Sequence, residues 1–251
     1  MTMPFTFDER PSDVPLVQTV WRTHSERAGA FTSVAVSRWE MVVTRRKGRT
    51  TLTVRGPETK ATRAPIPSDA EFFGIAFNHG AFMPDLPTEE LVDKAINLPQ
   101  ASDNSFWLRG RAWRFPSLEN ADTFVRRLVR DGVLVLDHVV DDAVRERPTG
   151  LSQRSVRRRF LRATGLTPGL IRQIDRARQA TALLQRGVSI LDTVNETGYF
   201  DQSHLGRSLK QFMGYTPAEI LRMNGFAEMS LSYKTAEFSE AKDRPPTGRS
   251  R

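Results

Sequence analysis

The chain has 251 residues and a mass of 28.4 kDa, enough for one large domain or two ordinary ones. Hydrophobic residues make up 39% and charged residues 26%, which is globular rather than collagenous or wholly disordered, and no apolar run approaches the roughly 20 residues of a membrane span. The absence of cysteine excludes disulfide scaffolds, thiolate metal sites and thiol nucleophiles, and the formal net charge of +8 points toward a polyanionic partner.

The N-terminus (Met1–Arg10) carries Asp8 and Glu9 and no apolar stretch, so it does not read as a secretory leader, and the expected location is cytoplasmic. Residues 1–115 read as strand-rich. Ser33–Val43 carries Val34, Val36, Met41, Val42 and Val43 and reads as a strand. Thr50–Arg55 alternates, with Leu52 and Val54 on one face, and Phe72–Phe77 alternates at Phe73, Ile75 and Phe77. Gly48, Gly56-Pro57 and Pro65–Pro67 mark turns. Ser117–Arg130 predicts a helix with Leu118, Ala121, Phe124, Val125 and Leu128 on its apolar side, stopped by Gly132. Trp39, Glu40, Glu58, Phe73 and Phe77 could line a pocket, although aromatic core residues with surface acids give the same pattern. Glu89 and Glu90 read as a solvated helix start. His24, His79 and His138 read as structural or exposed. With His204 they are the four histidines of the chain, no two of them close in sequence. Neither a metal nor a cofactor is expected, and no acid–base constellation suggests an enzyme.

The charge is concentrated further on. Residues 140–225 hold 14 Lys/Arg against 8 Asp/Glu, whereas the flanking segments are close to balance. Gly150–Arg162 alone has five arginines and no acid. A solvated helix face would have the same charge, but the same region contains an internal repeat. Leu151–Pro168 (LSQRSVRRRFLRATGLTP) aligns without a gap on Phe200–Pro217 (FDQSHLGRSLKQFMGYTP). Gln153/Gln202, Arg158/Arg207, Gly165/Gly214, Thr167/Thr216 and Pro168/Pro217 are identical. Leu151/Phe200, Val156/Leu205, Phe160/Leu209 and Leu166/Tyr215 keep the apolar pattern. Each copy predicts a helix capped by Ser152 or Asp201 and ended near Gly165 or Gly214. A further helix then starts at Thr167-Pro168 or Thr216-Pro217, with Glu219 completing a capping box in the second copy.

Asp137–Arg145 reads as a short helix before the first copy, joined to it by the irregular turn Glu146–Gly150. Before the second copy, Ser189–Asp192 reads as a capping box opening a helix that ends at Gly198. Helix, glycine-containing turn, helix is the helix-turn-helix arrangement, whose second helix enters the DNA major groove. Between the copies, Pro168–Arg186 predicts one helix with Ile171, Ile174, Ala177, Ala180 and Leu184 in a stripe, roughly 28 Å long. Such a rod could hold two reading helices in successive grooves. Ser230–Arg251 is polar, lacks an apolar period and reads as a disordered tail.

On these residues residues 140–224 resemble the AraC/XylS family of bacterial transcription regulators. The resemblance is carried by Leu151-Ser152-Gln153, Arg158-Arg159-Phe160 and Ala163–Pro168, and most specifically by Ser189-Ile190, Gly198-Tyr199, Asp201–Leu205, Arg207, Lys210 and Gly214–Pro217. It implies DNA contacts from Gln153, Arg154, Arg157 and Arg158 on the first reading helix and from Gln202, Ser203, His204 and Arg207 on the second. Arginine can fork onto guanine and glutamine can pair with adenine. Lys210 reads as a phosphate contact, and Arg159 and Arg162 as phosphate or solvent residues. Gly206 leaves one groove-facing position without a side chain. In the first half, Trp39–Val43, Gly56–Thr59 and Gly74–Phe77 resemble the cupin-related domain that precedes many such modules.

The expected fold class is α+β: a small N-terminal β (cupin-like) domain with a helix, then an all-α domain of two helix-turn-helix units joined by a linker helix. The expected boundaries are 1–135 for sensing or dimerisation, 136–225 for DNA binding and 226–251 for the tail. Double-stranded DNA is the expected partner, with RNA polymerase, a small effector and a second copy of the chain as candidates and no membrane. The expected function is sequence-specific transcription regulation. A sequence-indifferent architectural DNA binder and a cupin-like enzyme with a basic appendage are the rivals.

Overall fold

Strands whose side chains alternate between two faces must bury the apolar face, and the first half of the chain does so with antiparallel sheets. A computed structural model describes residues 5–144 and 147–223. The strands are β1 (Phe5–Arg10), β2 (Val17–Ser25), β3 (Gly29–Ser33), β4 (Glu40–Arg46), β5 (Arg49–Arg55), β6 (Thr62–Ile66), β7 (Ala70–Phe77) and β8 (Ala81–Phe82). After a 3-10 turn at Thr88–Leu91 come β9 (Ala95–Asn97), β10 (Gln100–Ser102), β11 (Ser105–Leu108), β12 (Arg111–Arg114), helix α1 (Ala121–Arg130) and β13 (Val135–Leu136). The main sheet has the order β1-β2-β7-β4-β5-β9. β4 and β5 join through a two-residue turn, Lys47-Gly48, with both φ positive (49° and 73°), as a type I′ hairpin requires.

Met41, Val43, Leu52, Val54, Phe73, Ile75 and Phe77 point from this sheet into one core, closed on its other side by Phe106, Trp113 and the Phe124–Val125–Leu128 face of α1. Each fully buried side chain of this size contributes about 1.5–3 kcal/mol. Trp39 and Phe77 stack with ring centres 4.1 Å apart, and the Trp39 indole N–H donates to Ala81 O. Glu40 is buried beside Arg55, and Glu58 is half-buried between Arg55 and Ser33. The aromatics are therefore core, and the two acids are internal partners rather than surface groups.

Three expectations change here. Ser33–Val43 is two strands with a break at residues 34–39, because Val34 and Ala35 turn away to pack on the helical half. Pro65 lies inside β6, opposite Ala30; β6 pairs only with β3, so no second neighbour needs the missing N–H. The helix expected from Ser117 begins at Ala121, because the Asn120 side chain accepts from Ser117 N and holds residues 117–120 in a turn.

The helical half has α2 (His138–Val144), α3 (Gln153–Thr164), α4 (Pro168–Gln185), α5 (Ile190–Thr197), α6 (Gln202–Phe212) and α7 (Pro217–Arg222). Phe160, Ile174, Ala177, Leu184, Val194, Leu205, Leu209, Phe212 and Ile220 form its core, and Val34, Ala35 and Phe82 of the β half belong to the same cluster. The two halves are thus packed through shared apolar contacts. Residues 226–251, expected as a tail, lie outside the described residues. No helix among the described residues is long and apolar enough to cross a membrane.

His79 is buried, with Nε2 3.0 Å from Ser37 Oγ. Burial, reinforced by the Arg38 charge, holds its imidazole well below the usual value of 6.5. The folded protein keeps His79 neutral, while the unfolded chain takes up the proton below pH 6.5, so acidification favours unfolding. Below that pH this residue removes up to about 1.4 kcal/mol of stability per pH unit. Urea unfolding at two pH values, compared with His79→Gln, measures this; a variant as acid-sensitive as the parent assigns the effect elsewhere.

Candidate nucleic-acid interface

The basic helix α3 exists because its caps are local. Ser152 accepts from Ser155 N at its start, and Gly165 ends it at φ 71°. Phe160, Ala163 and Thr164 are buried and fix which side of the helix faces inward. Gln153, Arg154, Arg157 and Arg158 are all exposed. Arg154, Arg157, Arg158 and Arg162 line one wall of a cleft of about 480 Å³, and Pro84, Pro87 and Glu89 of the β half line the other. None of the first three guanidiniums has an ion pair among the described residues. Arg159 instead pairs with Asp137 at 3.1 Å, and Arg162 lies over the Phe82 ring, 5.4 Å from its centre. Both arginines therefore have a partner within the fold while remaining exposed.

The second basic face is on α6. Asp201 accepts from His204 N, and Leu205, Ser208, Leu209 and Phe212 are buried. That leaves Gln202, Ser203, His204, Arg207 and Lys210 exposed. The His204 ring meets the Tyr199 ring edge-on at 5.0 Å, and Tyr199 OH bonds Ser208 Oγ at 2.8 Å. This contact sets the imidazole's position without consuming its exposed edge. Lys210 lies 3.8 Å from Glu219, a long and exposed pair worth little. Around Gly206 there is open space where a side chain would stand.

Between these faces, α4 starts at Thr167-Pro168 as expected and spans 18 residues, about 27 Å. Its stripe of Ile171, Ile174, Ala177, Ala180 and Leu184 is buried. α5 is capped by Ser189 and ends at Gly198 with φ 68°. The box expected at Ser189–Asp192 is only half formed: Asp192 accepts from the Ser189 hydroxyl, its shorter side chain not reaching back to the backbone N–H as Glu219 does at Thr216.

The β half also holds this region directly. The last carbonyls of a helix lack partners within it. In α6, Gln211 O accepts from Ala61 N and Phe212 O from Ala35 N, both at 2.8 Å. Thr32 and Tyr215 hydroxyls meet at 2.8 Å, and the buried Arg178 of α4 donates to Ala35 O at 3.3 Å. Sequence reading missed these ties, since each joins residues more than 140 positions apart, apart from any local pattern. Leu151 and Phe200, matching apolar positions of the repeat, are both surface residues, Phe200 at 90% exposure and Leu151 at 44%. Each precedes an N-cap, where the chain has not yet entered the buried helix face.

Among the described residues no group of three or more His, Cys, Asp or Glu could hold a metal ion. Compared with known families, residues 147–223 match a helix-turn-helix domain of the AraC type. Comparisons with curated proteins and with solved structures gave no match. The matched domain carries DNA binding and transcription regulation, and supports a DNA-binding regulator with a β-rich region ahead of its helical one.

Proposed function

We propose that this chain is a sequence-specific transcription regulator acting in the cytoplasm. In this reading α2–α3 and α5–α6 are two helix-turn-helix units, α3 and α6 are the reading helices, and residues 1–135 form a cupin-like domain that controls residues 136–225. The reading rests chiefly on one observation: Gln153 and Arg158 of one candidate helix and Gln202 and Arg207 of the other stand outward at equivalent repeat positions, with Arg154, Arg157, Arg158 and Arg207 free of ion pairs among the described residues. Unneutralised guanidiniums on a helix face are suited to base edges and phosphates. The α4 rod, about 27 Å long, is of the order of the roughly 34 Å between successive major-groove faces. One chain would therefore cover an asymmetric site on one side of the duplex.

Selecting bound duplexes from a random pool with the full-length chain tests this. The expected result is an enriched asymmetric motif with two parts about 10 base pairs apart and a preference over random duplex on the order of 10³-fold. If about six phosphates are neutralised, log K falls with log salt at a slope near −5. Equal affinity for all duplexes, with the salt slope retained, would instead establish an architectural binder.

A further inference from the structure

Behind the proline wall of the arginine cleft lies a second cavity of about 490 Å³. Met83, Leu86, Ile96, Leu98, Leu108 and Val133 line it. Its volume falls in the range of roughly 300–1,000 Å³ typical of small-molecule sites, and its wall is apolar as theirs are. Two charged side chains also stand in the lining, Asp85 and Arg109. Arg109 Nε lies 2.5 Å from the Asp85 carboxylate, and its Nη1 donates to Gly132 O at 2.8 Å. One guanidinium therefore ties together the segment before Thr88, the β11–β12 turn and the end of α1.

The segment from Met83 to Val92 has two sides. Met83, Asp85 and Leu86 face the apolar cavity; Pro84, Pro87 and Glu89 face the arginine cleft. Its far end packs on the turn that ends α3: a Cβ on Gly165 would stand 2.8 Å from Thr88 O and 3.1 Å from Glu89 Cα. Whatever moves this segment changes what stands opposite Arg154, Arg157 and Arg158.

We propose that the apolar cavity binds a small molecule with an apolar body and a single carboxylate, which takes Arg109 from Asp85. The Arg109–Asp85 pair is exposed on both sides and so is easily exchanged. A ligand carboxylate can grip the guanidinium with two parallel hydrogen bonds while its apolar body is buried against the wall. Asp85 is then released, and with it Pro84 and Pro87 of the cleft wall. The ligand thus binds one arrangement of the segment better than the other, which is the condition for coupling it to the α3 face. The coupling half of this inference rests on the regulator reading; the binding half does not.

The test titrates the full-length protein by calorimetry with decanoate, phenylbutyrate and 2-naphthoate, and with the matching alcohols. At least one acid is expected to bind about ten-fold or more tighter than its alcohol. Arg109→Met should erase that difference. Leu98→Trp, or Leu108→Trp should the first not fold, should abolish binding of acid and alcohol alike while leaving the melting transition in place. Asp85→Asn, with no ligand added, should shift affinity for a selected duplex in the same direction as the ligand does. No binding by any of the three acids at about 1 mM, or binding indifferent to Arg109→Met and the cavity-filling change, overturns the site. Ligand binding with Asp85→Asn acting in the opposite direction, or not at all, overturns the coupling. Failure to enrich any duplex is a separate result, and counts against the regulator reading while the calorimetry stands.

Discussion

Replacing Arg207 by alanine is expected to lower affinity for the selected duplex by about ten- to a hundred-fold and affinity for random duplex only about two-fold. The larger figure is the 1–3 kcal/mol that a bidentate arginine–base contact contributes, roughly, to discrimination. The smaller is one phosphate-range charge lost from a basic surface. Arg207 is exposed on α6, and no ion pair among the described residues holds it. Its removal leaves the buried Leu205, Ser208 and Leu209 untouched. The melting temperature should therefore stay near the parent value, as surface changes away from caps and cores typically shift stability within about 0.5 kcal/mol. Lys210→Ala is the contrast: as a phosphate contact it should weaken both duplexes by the same factor and make the salt slope shallower by about 0.9. Fluorescence anisotropy at fixed salt reads both variants. If Arg207→Ala behaves as Lys210→Ala does, Arg207 holds phosphate and another residue reads the bases.

The second large effect is on stability. Gly165→Val is expected to destabilise the protein by about 3–5 kcal/mol, combining a left-handed backbone that valine resists with an overpacked contact. At φ 71°, a Cβ there would lie 2.6 Å from Val92 Cγ2 and 2.8 Å from Thr88 O. The carbonyl oxygen belongs to backbone and cannot swing aside. Gly198 supplies the control. It ends α5 at φ 68°, but nothing lies within 4 Å of its would-be Cβ. Gly198→Val should thus cost only the conformational part, about 1–2 kcal/mol. Urea unfolding of both variants isolates the contact between the halves as the difference. Equal losses would mean that the turn after α3 does not dock on the β half.

The helices were readable because their signals are short-range. Ser152, Thr167, Ser189, Asp201 and Thr216 each accept from a backbone N–H three residues on, a contact that any chain with that spacing makes without help from the rest of the fold. The same holds for the outward position of Gln153 and Arg158, or Gln202 and Arg207, which follows from the inward position of Phe160 and Leu209 at helical period. The strands were read less well. Val34 and Val36 look like the start of a strand leading to Val43, yet Ala35 N is drawn to Phe212 O at the end of α6. Pro65 looks like a turn residue, yet an edge strand tolerates it. In both cases the deciding neighbour lies far along the chain.

From the amino-acid order alone came the β-then-helix division, the repeated helical module, its capping residues and its excess of arginine, because charge count, periodicity and i-to-i+3 bonds need no knowledge of the fold. Folding decided which surfaces meet. It set Glu89 across from Arg154, Arg157 and Arg158, supplied Ala35 and Ala61 as donors to the last carbonyls of α6, and buried Arg178 against Ala35 O and His79 beside Ser37. Those relations depend on closing long loops, and the free energy that closes them comes from the shared core of Val34, Ala35 and Phe82 with the helices, which no local pattern encodes.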